Sequence, residues 1–153
     1  MATIYENVLI LKPEMVYIAE SARIDSFVKI EGGNGVTIGE FCHVSSFCHL
    51  NGGGGLVRIG AHSGLASGVK IIGGMSDISL LHVCPTEPAH LINTFRSETI
   101  IGEYVVIFSN AVICPGVVLG DRCVVGAGSV VTKNIPDDEI WAGVPARKIG
   151  VRL

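Results

Sequence analysis

The sequence is poor in charge, in aromatic side chains and in long apolar runs. Only 16% of its residues are Asp, Glu, Lys or Arg, and only 6% are Phe, Trp or Tyr. Because hydrophobic residues make up 48% of the chain, intrinsic disorder is excluded, since disorder requires low hydrophobicity and high charge. The net charge is −3 and the basic residues do not cluster, so no nucleic-acid partner is expected. No apolar run reaches the roughly 18 residues that would span a membrane.

Paired cysteine motifs and a targeting segment are also missing. The chain has five cysteines, an odd number, and none of them forms a CxxC pair. This favours reduced thiols over a disulfide framework. The first residues, Met1 to Asn7, lack the positive start and the apolar core of a signal peptide. We therefore expect a cytoplasmic protein.

Glycine is abundant, with 20 residues in 153, and aliphatic residues recur every six positions. Small residues often follow each aliphatic, and the fourth residue after it is small or β-branched. A period of six fits short strands joined by regular bends, three to a coil, with the coils stacked as a parallel β-helix. We expect one all-β domain over residues 1–153 with about five coils. The five runs are Ile18, Ile24, Ile30; Ile38, Val44, Leu50; Ile59, Leu65, Ile71; Ile101, Ile107, Ile113; and Leu119, Val125, Val131.

The repeat is interrupted in four places. Two extra residues are absorbed near Glu31 to Gly35 and three near Gly52 to Gly55. A much larger excursion, about residues 73–98, adds 24 residues between Ile59 and Ile101, and a loop of that length inside a compact domain is usually functional. A tail over about 134–153 breaks the repeat again.

Two segments near the C-terminus carry a family resemblance. The stretch Gly126-Ala127-Gly128-Ser129-Val130-Val131-Thr132-Lys133, followed by Ala142-Gly143-Val144-Pro145-Ala146-Arg147, resembles the end of the repeat in the hexapeptide-repeat acyltransferases. The resemblance covers roughly Val16 to Ile149 and implies a left-handed parallel β-helix and a homotrimer. It also implies acetyl transfer from acetyl-CoA to a hydroxyl or amine, in a cleft between two subunits, with a His as general base. Pro85-Thr86-Glu87-Pro88 in the excursion resembles the polysaccharide-biosynthesis members, which act on sugars that are often nucleotide-linked.

Three histidines are the main candidates for the base. An imidazole suits the removal of a proton from the acceptor near neutral pH. His49 and His43 occupy outward positions of the repeat, and counting one coil onward places His49 beside Lys70, close to the start of the excursion. His82 lies inside the excursion, where galactoside-type members carry their base. We rank His49 and His43 ahead of His82, keep His90 as a remainder, and expect Asn51 and Ser45 to orient the base or the acceptor.

The resemblance also indicates which residues would bind the co-substrate acetyl-CoA. Lys133 and Arg147 match family positions near the nucleotide end of CoA, so we expect them to contact its phosphates. Trp141 either stacks on the adenine or caps the last coil. No metal site is expected, and the acceptor is a small-molecule sugar that the sequence does not identify.

Two other functions remain open at this stage. A zinc enzyme resembling the γ-class carbonic anhydrases uses the same β-helix with three His ligands, but the five histidines here lack the close spacing of that family. A non-catalytic β-helix scaffold is the other alternative.

Overall fold

The computed structural model describes all residues, 1–153, and contains short strands separated by regular bends. Its single helical element is a 3₁₀ turn at Pro13–Met15, and no helix present could cross a membrane. The strands in chain order are β1 Thr3–Ile4, β2 Leu9–Leu11, β3 Val16–Ile18, β4 Arg23–Ile24, β5 Lys29–Glu31, β6 Gly35–Ile38, β7 His43–Val44, β8 His49–Gly52, β9 Leu56–Ile59, β10 Gly64–Leu65, β11 Lys70–Ile72, β12 Gly74–Ser76, β13 Thr94–Arg96, β14 Glu98–Ile101, β15 Val106–Ile107, β16 Val112–Ile113, β17 Val118–Leu119, β18 Val124–Val125, β19 Val130–Val131, β20 Glu139–Gly143 and β21 Ala146–Val151.

The strands form the three faces of a parallel solenoid. The first face is stacked in the order β1, β4, β7, β10, β15, β18 and β20, with β21 antiparallel to β20. The second face holds β2, β5, β8, β11, β16 and β19, and the third holds β3, β6, β9, β14 and β17. On the third face Ile18 pairs in register with Ile38, and Ile38 with Ile59. The excursion does not disturb this register, because Ile59 pairs with Ile101.

The core is the column of repeat positions inside the prism. The aliphatics of the repeat are buried almost completely from Ile24 to Val131, and so are the small residues at the fourth position, including Cys42, Cys48 and Cys123. Burial raises the pKa of Cys48 to about 11 and that of Cys123 to about 12. All five cysteines are unpaired, and the buried thiols are core residues rather than nucleophiles.

The solenoid is longer than the five coils expected from the sequence. It has six coils, and β20 adds a seventh layer on the first face. At the start, β1 and β2 form a coil below Ile18, and at the end Ile135 bridges to Leu119 and is buried. The expected tail is therefore partly a continuation of the stack.

The excursion is a hairpin that leaves the corner between the second and third faces. Its stem pairs β12 with β13 in antiparallel fashion, with Gly74 opposite Arg96 and Ser76 opposite Thr94. Residues 77–93 form the loop between the two strands. This agrees with the expected interruption over about 73–98.

Candidate active site

Two histidines of the third coil each contact a carboxylate of the second coil. His43 Nε2 lies 2.8 Å from Asp25 Oδ2, and His49 Nε2 lies 2.9 Å from Glu31 Oε1. In the strand register His43 pairs with Arg23 and His49 with Lys29. Each imidazole therefore reaches the outward residue two positions beyond its register partner. The two pairs are built alike and lie on adjacent faces of one coil.

A cation keeps each carboxylate ionised. Arg23 Nε lies 2.7 Å from Asp25 Oδ1, and Lys29 Nζ lies 2.7 Å from Glu31 Oε1. Partial burial raises the pKa of both carboxyls. The hydrogen bonds from the imidazoles and cations outweigh it, so the pKa of each ends below its ordinary value.

The ionised carboxylates fix the tautomer of both histidines. An ionised carboxylate can only accept hydrogen bonds. Nε2 of His43 and Nε2 of His49 must therefore carry a hydrogen and donate it. In the neutral imidazole this leaves the lone pair on Nδ1 free to take a proton from another group. Each pair can therefore act as a general base through Nδ1, with its carboxylate stabilising the imidazolium that forms.

The surroundings of the two pairs differ. His43 lies at the edge of a shallow, mainly apolar depression of about 200 Å³ on the first face, whose other walls include Gly64, Ala66, Val106 and Phe108. The depression exists because the coil above His43 presents only the small residues Gly64 and Ala66. This surface is suited to an apolar chain rather than to a charged group.

His49 lies on the second face near the root of the excursion. It pairs in register with Lys70, as the sequence predicts, and β11 ends at Ile72 just before the hairpin begins. Its side chain is 30% exposed, so its ring is held by protein on one side and open on the other. His49 is therefore accessible to a substrate that lies against the hairpin.

The remaining histidines are separate from these pairs. His82 Nδ1 contacts Glu87 Oε2 within the excursion loop, and the structure gives it no hydrogen bond to either pair. His90 lies exposed in the same loop. His62 stacks between Phe41 and Tyr104 at a corner, with ring centroids 5.0 and 4.5 Å away. Of the histidines, only His43 and His49 combine a repeat position with a carboxylate partner.

The expected CoA contacts lie near the C-terminal end of the solenoid. Lys133 follows β19 and is exposed, and Arg147 in β21 is also exposed, with Nη1 donating to the carbonyl of Ala146 at 2.9 Å. Trp141 in β20 packs against the core, and its Nε1 donates to Glu139 Oε2 at 2.7 Å. The indole caps the stack in this structure, and its stacking on adenine stays a prediction.

Asp25 and Glu31 are the residues that reading the sequence missed. Both precede their histidine by 18 residues, one unperturbed coil, which is the signal that could have found them. Asn51, in contrast, cannot orient His49 or an acceptor as expected, because its side chain is fully buried. Its Nδ2 donates to the carbonyls of Glu31 and Gly55 at 2.8 Å, so its amide serves the backbone of the corner.

The chain holds no group of three or more His, Cys, Asp or Glu side chains placed to bind a metal ion. The paired histidines contact carboxylates on two different faces rather than converging on one point. Within one subunit, the geometry supports acid–base chemistry by either pair.

Comparison with known proteins identifies the family. Residues 98–133 match the family model described as bacterial transferase hexapeptide (six repeats). Galactoside O-acetyltransferase of Escherichia coli K12 is 57% identical over 49 residues, which span 32% of this chain but only 24% of that enzyme. The dTDP-4-amino-4,6-dideoxy-D-glucose acyltransferase of Escherichia coli is 27% identical over 139 residues, covering 90% of this chain and 72% of the relative.

The solved structure of AntD, an N-acyltransferase from Bacillus cereus in complex with dTDP and 3-hydroxybutyryl-CoA, superposes with a TM-score of 0.91. It is 30% identical, and the match covers 99% of this chain and 80% of AntD. These matches confirm the left-handed parallel β-helix and do not favour a carbonic anhydrase or a scaffold. The fold, the repeat and the aligned length together place the chain in the hexapeptide-repeat acyltransferases, enzymes that take their acyl group from a CoA thioester.

Proposed function

We propose that this protein transfers an acetyl group from acetyl-CoA to a hydroxyl or amine of a sugar, with a nucleotide-linked amino sugar as the preferred acceptor. The observation that carries the chemistry is the His49–Glu31 pair at the root of the excursion. The choice of acceptor follows the similarity to AntD and to the dTDP-amino sugar acyltransferase, which extends over nearly the whole chain. His43 with Asp25 is the second candidate for the same role.

The reaction is a direct transfer. Nδ1 of His49 takes the proton of the acceptor hydroxyl or amine as that group attacks the thioester carbonyl carbon. Glu31 stabilises the imidazolium that forms, because its carboxylate accepts the Nε2 hydrogen. When the tetrahedral intermediate collapses, the carbon–sulfur bond breaks and the imidazolium returns the proton to the leaving thiolate. No covalent enzyme intermediate is needed.

The remaining assignments extend this proposal. Lys133 and Arg147 contact the CoA phosphates from the C-terminal end of the solenoid, and both are exposed and free of ion pairs. A homotrimer would place the cleft between two subunits, as the family resemblance implies. A role in polysaccharide biosynthesis and a cytoplasmic location complete the proposal.

Replacement of each histidine by Ala tests the base. We expect His49→Ala to lower kcat by about 10² to 10⁴, the usual contribution of a general base, in an assay of thiol release with acetyl-CoA and dTDP-4-amino-4,6-dideoxyglucose. His43→Ala and His82→Ala serve as matched controls and should lose far less. Because all three side chains are outside the core, none of the variants should unfold.

The other outcomes are equally informative. A loss confined to His43→Ala would move the base to the first face, and a loss confined to His82→Ala would move it into the loop. Near-normal turnover in all three variants would contradict the general-base mechanism. A wild-type enzyme that binds acetyl-CoA but acylates no sugar or nucleotide sugar would contradict the proposed function.

A further inference from the structure

A cavity of about 280 Å³ lies at the corner between the second and third faces, below the excursion hairpin. Its charged walls are Lys12, Glu31 and Arg96. Backbone of the two glycine-rich insertions, including Gly33 and Gly54, lines the rest. The cavity is therefore mostly polar and is built from four consecutive coils.

The cavity carries an excess of positive charge. Lys12 and Arg96 form no ion pair and no side-chain hydrogen bond, whereas Glu31 is already paired with Lys29. Two uncompensated cations therefore face one space. Together they favour a ligand with negative charge, and Arg can bind phosphate oxygens through two N–H groups at once.

The shape suits an extended anion. Lys12 belongs to the first coil and Arg96 to the hairpin of the fourth, so their backbones lie about 14 Å apart at the usual strand spacing. Arg96 leans toward the third coil, since a Cβ built on Gly54 would lie 3.9 Å from its Nε. Gly33, in the second coil, also lines the cavity, and its N–H donates to no group of the chain.

Glu31 connects this cavity to the candidate base. The same carboxylate lines the cavity and accepts the hydrogen bond of His49 Nε2 at 2.9 Å. A ligand bound in the cavity is therefore one side chain away from the imidazole. This arrangement would bind the negatively charged groups of a ligand in the cavity while the rest of the ligand reaches His49.

We propose that this cavity binds the diphosphate of a nucleotide-linked sugar acceptor through Lys12 and Arg96. The inference rests on the proposed function and adds to it the residues that hold the acceptor's nucleotide end. CoA also carries phosphates and is the other source of the same chemistry. The proposal assigns CoA to Lys133 and Arg147, so the two ligands are separable by experiment.

Direct binding measurements test the proposal without relying on turnover. Calorimetric titration of the full chain with dTDP, UDP and CoA is compared for the wild type, Lys12→Gln, Arg96→Gln and the double variant. Gln keeps most of each side-chain stem and removes the charge. We expect each single variant to weaken nucleoside diphosphate binding about tenfold or more, as for the loss of a charge-assisted hydrogen bond, with CoA binding unchanged. Arg58→Gln, which removes an exposed cation of the third face outside the cavity, should change neither.

Each contrary result has a definite meaning. Unchanged dTDP and UDP binding in the double variant, or no binding of either by the wild type, overturns the proposal. Weaker CoA binding with unchanged diphosphate binding reassigns the cavity to CoA and also overturns it. If the diphosphates bind through the cavity but no sugar is acylated, the site stands and the proposed function fails.

Discussion

At the scale of single residues, side chains close together in the sequence have different roles: outward ones are available for chemistry, and buried ones stabilise the fold. His49 points outward and contacts Glu31, whereas Asn51, two residues later, is fully buried. Asn51 also has a positive φ of 68°, which Asn tolerates better than most residues. Its Nδ2 faces three carbonyl oxygens, of Glu31, Gly32 and Gly55, so one amide joins the two glycine-rich insertions.

Asn51→Asp should therefore destabilise the fold strongly at neutral pH. The change places a carboxylate oxygen against three carbonyl oxygens, and we expect a loss of at least about 1–3 kcal/mol in the free energy of unfolding. The repulsion raises the folded-state pKa of the new carboxyl above its unfolded value. The stability that remains is thus greatest below the unfolded pKa and falls as pH rises through the folded pKa.

Urea unfolding at pH 5 and pH 7 measures this effect. Asn51→Ala is the control, because it removes the same hydrogen bonds without adding a titratable group. Both variants should be less stable than wild type at both pH values. Only for Asn51→Asp should the loss in the free energy of unfolding be smaller at pH 5 than at pH 7. Equal pH dependence of the two variants would mean that the side chain of residue 51 does not face the carbonyls.

The outward register of His43 and His49 was predictable from the repeat, whereas their carboxylate partners could be found only by the 18-residue spacing and not from the strand register. The six-residue period places both rings outward, and Lys70 was correctly placed beside His49. The partners lie diagonally, because the second and third coils are offset by 20 residues rather than 18 and the direct neighbours are Arg23 and Lys29. A spacing rule that looks only along the register therefore passes over Asp25 and Glu31.

Among the structural elements, the regular strands were predictable and the ends of the stack were not. Ile4 and Ile10 already show the six-residue spacing, but the 3₁₀ turn at Pro13–Met15 delays the next aliphatic to Ile18 and hides the first coil. At the other end, Ile135 follows Val131 after only four residues. Local insertions and deletions at bends alter the spacing while the strand pairing continues.

The corner under the hairpin depends on close approach of backbone segments. A Cβ built on Gly55 would lie 1.9 Å from the carbonyl oxygen of Gly73 and 2.5 Å from that of Ser97. These are main-chain atoms of the hairpin root, so they cannot rotate away as a side chain would. Glycine is thus required at position 55 because a side chain would collide with the hairpin root, and its backbone conformation is not the main reason.

Gly55→Ala should consequently destabilise the protein by about 1–3 kcal/mol or more, the usual range for overpacking. Gly150→Ala is a matched control, because its Cβ would meet Ile140 Cδ1 at an ordinary 3.8 Å. Thermal unfolding of the two variants checks the difference. If Gly55→Ala unfolds like Gly150→Ala, the close stacking of the corner is not a constraint in solution.

For the whole molecule, exposed aromatic side chains on the first face and at its corner with the second face point to association with other copies of the chain. Phe27 and Phe47, in the turns between these two faces, stack with ring centroids 5.5 Å apart and are 55% and 63% exposed, and Phe108 is 48% exposed and lines the apolar depression of the first face. Exposed apolar side chains grouped in this way are typical of an interface. A second copy of the chain is the occupant that the family resemblance implies, and closed rings are the usual outcome for identical subunits.

The last prediction concerns this trimer. Sedimentation should give about 48 kDa, three times the 16.1 kDa of the chain. Phe108→Glu should shift the protein toward monomers, because burying the new carboxylate against apolar side chains is costly. Tyr17→Glu, at an exposed aromatic position of the third face, should leave the assembly intact.

Activity should follow assembly if the site is a cleft between subunits. Monomers of Phe108→Glu would then retain the His49–Glu31 pair, which lies within one chain on another face, yet lose acyl transfer because the second wall is absent. A wild-type protein that sediments at 16.1 kDa would contradict the trimer. Full activity in monomeric Phe108→Glu would instead show that one subunit supplies the whole site.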